Sequence, residues 1–372
     1  MSRKSQTHTD TGKATVTQEV PVQIDSRTDT FFKFLRAAAI TGIVYGHVNS
    51  DQYMLNTEFW SQHFFLLTSF LIGSCPVALF LFLAGYLNMS SYQKSGTLMF
   101  WKQNATSFGV HYLFWSIVYV LLNIVVWHET YSCSNLVWAL LFGKACISLY
   151  YFIVLFQFIL LTPLLFVWLQ KQRLLWLPYI ISLLYAAAYG CAYICYNAPF
   201  SMGVTPVTPF VPWLALYWTG MLCHFYENEI HNWLCRRKNL LISLTICAYV
   251  FCFGCIMYLW HVQGVHTSLV FRSLTIFTFI PINLLLFVLF LYRYRVIQNR
   301  LILLVGSYAY GIFLIHIVVL KIVCMIPFFQ TLQMFPVLYT FTVTITVIGC
   351  SIFITWLGQK ILGRQRAAWI GF

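Results

Sequence analysis

The 372-residue chain is 60% hydrophobic and 19% aromatic, is only 8% charged, and has a mean hydropathy of +0.77. Soluble domains carry about 25% charged residues, so this composition excludes a soluble globular protein and points to a polytopic membrane protein. The formal net charge of +13 is no sign of a nucleic-acid partner. The basic residues sit in short segments between apolar runs, the pattern that sets membrane topology.

Residues 1–30 are rich in Ser, Thr and Gln and read as a disordered cytoplasmic tail, with 31–372 forming one membrane domain. No small-residue cleavage site follows the first apolar run, so that run is expected to be an uncleaved anchor. Windows of ~20 apolar residues suit a bilayer. They fall at 31–49, 64–88, 107–127, 149–169, 174–196, 210–226, 240–260, 270–292, 302–323 and 337–358. The expected architecture is therefore all-α, a transmembrane helical bundle of about ten spans. Lys94 and Lys102, Lys171 and Arg173, Arg236 to Lys238, Arg293, Arg295 and Arg300, and the tail from Lys360 to Arg366 fall in alternate loops. The positive-inside rule then puts both termini in the cytoplasm. With this topology the expected location is the inner (plasma) membrane, as a multi-pass protein.

The 12 cysteines lie mostly within apolar spans, where Cys acts as a small hydrophobe. Cys252 and Cys255 form one CxxC, with no second pair to complete a zinc site. Neither a metal site nor a disulfide framework is expected.

The most informative stretch is Phe31 to Ser50, FFKFLRAAAITGIVYGHVNS. It carries Arg36 and, eleven residues on, His47. Charged groups inside a membrane-length segment are costly and mark function by default. At ~100° per residue the two side chains share one helix face, ~16 Å apart along the axis. This is either a polar stripe serving one long ligand, or a snorkelling Arg with a separately satisfied His. Arg272 and Lys321 also lie in or at the edge of spans.

Several stretches together resemble the acyltransferase-3 family of integral membrane acyltransferases. The first span matches the family opening at Arg36 and His47. PVALFLFLAGYL is similar to its apolar-Ser-Gly-Tyr/Phe segment, with Ala84 for Ser and with Gly85 and Tyr86 retained. LYYFIVLFQFILLTPLLF resembles another segment through Thr162 and Pro163, although Ser148 stands where a His is frequent. GSYAYGIFLIH resembles the closing signature through Gly311, Phe313 and His316. The family's Arg-x-x-Arg pair before the third span is absent. Asn104 and Ser107 occupy those positions, and Lys94 and Lys102 are the substitutes at hand.

The resemblance implies O-acyl transfer, with acetyl the expected group, from acetyl-CoA to a hydroxyl of an envelope glycan or its lipid-linked saccharide precursor. His suits the base that takes the hydroxyl proton, since its unperturbed pKa is ~6.5. His47 is the candidate base or acyl carrier, and Asp51, one turn later, the candidate orienter of its ring. His316 either lines the same cavity or is hydrogen-bonded core. Arg36 stays protonated and suits phosphate binding, with Lys33 and Lys102 as candidate helpers. Tyr86 and Tyr310 either donate to an oxyanion or are buried structural tyrosines. Expected partners are acyl-CoA, the glycan and membrane lipid, without nucleic acid, and homo-oligomers are compatible. The rival class is a transporter or flippase of a lipid-linked sugar. It predicts inverted repeats or paired broken helices, and the chain shows neither.

Overall fold

The structure, a computed structural model, describes residues 26–55, 75–196, 209–263 and 279–372, with the isolated positions 64, 67, 68, 71 and 72. Every regular element among the described residues is helical. That agrees with lipid as solvent, where backbone N–H and C=O groups must be paired within the chain. The first helix, α1 (Ser26–Leu55), starts five residues inside the segment expected to be a tail.

The second, α2 (Pro76–Val125), begins with Pro at its first turn, where the missing N–H costs nothing. It carries residues 76–88 of the second apolar window and 107–125 of the third. The loop expected between them is a single break at Gly96, whose φ of 70° is left-handed. The chain continues through α3 (Cys133–Leu141), α4 (Tyr150–Gln170), α5 (Leu177–Tyr196) and α6 (Leu214–Phe225). Beyond these come α7 (Glu227–Arg236), α8 (Lys238–Gln263), α9 (Phe279–Leu291) and α10 (Arg300–Met325). The last elements are α11 (Pro327–Leu332), α12 (Pro336–Leu362) and α13 (Arg364–Trp369). Asn299 caps α10 by accepting from the N–H groups of Leu301 and Ile302.

Each of the ten apolar windows overlaps a helix. Five segments are long and apolar enough to cross a membrane by length and composition: Pro76–Val125, Ile147–Gln170, Lys238–Tyr258, Arg300–Met325 and Pro336–Leu362. Shorter apolar helices occupy Leu177–Ala188 and Phe279–Leu291.

Three packing contacts position the site. α1 and α10 run parallel, because Gly306 lies against the Lys33 backbone at one end and His47 faces His316 at the other. A Cβ at Gly306 would overlap the Lys33 carbonyl, so the helices touch backbone to backbone there. α2 runs antiparallel to α1, with Pro76 against Gly42 and the Tyr86 ring edge-on to Phe32 at 5.2 Å. α2 and α6 cross with equal closeness, since a Cβ at Gly85 would meet the Tyr217 carbonyl and one at Gly220 the Phe82 carbonyl. That crossing is sealed by a buried chain of donors. Asn88 donates to the Tyr217 hydroxyl (2.9 Å), Tyr217 to Thr162 (2.7 Å) and Thr162 to the Phe158 carbonyl (2.7 Å). The resemblance residues Gly85 and Thr162 thus act here in packing.

Candidate active site

α1 is one unbroken helix through Arg36, His47 and Asp51, so the shared face of Arg36 and His47 is realised. The Asp51 side chain lies outside what the structure describes, as do Arg272 and its surroundings.

His47 is part-buried and its ring sits 5.4 Å from that of His316, tilted by 37°. His316 is fully buried. Its Nδ1 lies 2.8 Å from the Phe313 carbonyl and 3.1 Å from that of Ile312. Carbonyls only accept, so in the neutral ring Nδ1 carries the proton and Nε2 keeps its lone pair. Nε2 is buried and has no hydrogen-bond partner among the described residues. A buried acceptor without a donor costs about 1–3 kcal/mol. Two imidazoles face one another, one with its basic nitrogen unoccupied. The two readings of His316 therefore meet: it is hydrogen-bonded core at Nδ1 and unsatisfied at Nε2.

Among the described residues, Arg36 is part-buried and makes no hydrogen bond or ion pair. Lys33 is committed differently: its ammonium pairs with Asp29 at 2.6 Å, one turn earlier. Lys102 and Lys94 are exposed, and no hydrogen bond or ion pair joins either to Arg36. Asn104 turns inward and donates to the Phe100 carbonyl at 2.8 Å, while Ser107 is exposed.

The two candidate oxyanion donors are engaged elsewhere. Tyr86 donates to Glu227 Oε2 at 3.1 Å. His111 Nε2 lies 2.8 Å from the Ala368 carbonyl and must carry the proton, so Nδ1 accepts from Tyr310 (2.8 Å). Ser148, at the position of the family's frequent His, is buried against Cys146 Sγ at 3.3 Å.

A polar network that sequence reasoning missed joins three elements beside Tyr86. Arg293 pairs with Glu227 at 3.2 Å and donates to His231 Nδ1 at 2.8 Å. Burial first, and then the Arg293 guanidinium, hold the His231 imidazole below its ordinary pKa, which fits an Nδ1 that accepts. The one available signal was Glu227 itself, one of only 9 acids in the chain, at the end of an apolar run.

Fold and site together define an all-helical membrane protein with a part-buried and a fully buried imidazole face to face between its helices and a guanidinium on the same helix face as the first. Residues 29–356 match the family model described as "Acyltransferase domain", that of acyltransferase 3, and the chain belongs to that family. No curated protein and no solved structure matches it.

Proposed function

We propose that this chain is an O-acyltransferase. In this reading it moves an acetyl group from acetyl-CoA to a hydroxyl of an envelope glycan or its lipid-linked precursor, at the His47–His316 pair. The observation that carries the reading is that pair: two imidazoles 5.4 Å apart, one holding a buried lone pair with no partner among the described residues, with His47 on the helix that also presents Arg36, which makes no ion pair among the described residues.

The acceptor hydroxyl enters beside the rings. His47 takes its proton as the oxygen attacks the thioester carbon, and the C–O bond forms. His316 Nε2 accepts a hydrogen bond from the His47 N–H, which turns the other His47 nitrogen, the base, toward the incoming hydroxyl. The tetrahedral oxyanion collapses, the C–S bond breaks, and the protonated His47 returns its proton to the departing thiolate. Arg36 holds the donor's phosphates by paired hydrogen bonds. The ~16 Å from Arg36 to His47 along α1 suits an extended pantetheine arm. Arg36 then lies toward the cytoplasmic side, both termini are cytoplasmic, and the membrane is the inner one.

The donor role of Arg36 is tested with purified protein and two donors. Arg36→Lys is expected to raise KM for acetyl-CoA on the order of tenfold, the scale of a lost charged hydrogen bond. KM for acetyl-pantetheine, which lacks the nucleotide phosphates, should stay unchanged. An equal rise for both donors would remove the phosphate role.

A further inference from the structure

The face of α1 that carries Arg36 and His47 looks into a gap between α2 and α10. At ~100° per residue, Phe32 lies ~40° to one side of Arg36 round the helix and Lys33 ~60° to the other. Phe32 meets Tyr86 of α2, and the Lys33 backbone meets Gly306 of α10. Across the gap Phe80 of α2 meets Phe313 of α10, with ring centres 6.3 Å apart. Tyr151 of α4 completes a triangle, 6.0 Å from Phe80 and 5.7 Å from Phe313. Phe313 and His316, three residues apart, share one face of α10, and their rings are 6.2 Å apart.

The same packing sets the height of the triangle. Pro76 rests on Gly42, and Phe80 is four residues on in an antiparallel helix, so it stands ~6 Å nearer the Arg36 end than Gly42 does. Phe313 stands ~4.5 Å nearer that end than His316. Both registers put the three rings between the levels of Arg36 and His47. Tyr151 packs against three separate buried clusters and is still only part-buried, as is Phe80. Rings enclosed by packed helices that keep exposed surface line a cavity between those helices. The Tyr151 hydroxyl makes no hydrogen bond with the described residues, whereas those of Tyr119, Tyr179 and Tyr217 are all engaged.

We infer that Tyr151 binds the acyl donor, its hydroxyl donating to an amide carbonyl of the pantetheine arm as the arm runs from Arg36 to His47. The inference rests on the acyl-CoA reading and adds a donor-binding residue to it. The arm carries two amides, and a carbonyl taken into an apolar channel needs a donor there. Phe80 and Phe313 give the arm apolar walls, and Tyr151 brings a hydroxyl to the same level.

The test is equilibrium binding of coenzyme A, and of ADP 3′-phosphate as its nucleotide end without the arm, to the full-length protein in detergent, by calorimetry. Tyr151→Phe keeps the ring and loses only the hydroxyl. It is expected to weaken coenzyme A about tenfold and leave the nucleotide unchanged. Its melting temperature should match wild type, because the hydroxyl holds no described residue. Arg36→Lys, by contrast, should weaken both ligands. Unchanged coenzyme A binding by Tyr151→Phe overturns the inference, and so does equal weakening of both ligands, which marks a structural effect. Failure of both ligands to bind wild type removes the acyl-CoA reading itself, and the inference with it.

Discussion

His316→Leu is expected to lower acyl transfer by roughly 10²- to 10⁴-fold, the range for losing a positioned acid–base group, without lowering thermal stability. The two outcomes are linked by one atom. His316 is fully buried, and its Nδ1 proton is held by backbone carbonyls of its own helix, so Nε2 is the nitrogen available to chemistry. That nitrogen has no partner among the described residues. A buried acceptor left unmet costs about 1–3 kcal/mol. Leu fills a similar volume without that cost, so melting in detergent should be unchanged or higher. The lost hydrogen-bonded alignment of the reacting proton should appear in kcat. Full turnover by a folded His316→Leu protein would assign His316 to the core and leave His47 to act alone.

Gly306→Ala is the second large effect, and it acts from a distance. A Cβ there meets the Lys33 carbonyl and Cα, which are backbone and cannot swing aside. Relief requires α1 and α10 to separate, and those two helices carry His47 and His316. Overpacking of this kind costs about 1–3 kcal/mol, occasionally more. A displacement of about 1 Å at a reacting centre is worth around 10² in rate. Turnover is therefore expected to fall about 10²-fold, with a lower melting temperature. Gly349→Ala in α12 is the control, because nothing lies within 4 Å of its added Cβ. It should retain turnover and gain up to about 1 kcal/mol from helix propensity. Equal behaviour of the two variants would show that the α1–α10 contact does not hold the imidazoles in register.

Much of this was legible in the chain before the fold. Composition alone required helices in lipid, and a 3.6-residue period put Arg36 and His47 on one face, as α1 does. The resemblance left His316 either lining the cavity of His47 or in the core, and the choice was not legible, since no spacing rule relates side chains on helices at opposite ends of a chain. It follows from the parallel packing that glycine permits at Gly306. Local charge was read less well than periodicity. Lys33 looked like a donor ligand beside Arg36, but Asp29 four residues before it takes the ammonium. Lys94 and Lys102 suggested a loop, whereas the helix resumes after one left-handed glycine. Tyr86 and Tyr310 had the right chemistry for an oxyanion, yet their hydroxyls are committed to Glu227 and His111, residues distant in sequence.

The most direct measurement is the acetyl content of surface glycan in cells carrying wild type, an empty vector or His47→Ala, with expression verified. The expected result is acetylation above vector with wild type alone. Full acetylation with His47→Ala would contradict the role of His47, and wild type equal to vector would contradict acetyl transfer to surface glycan.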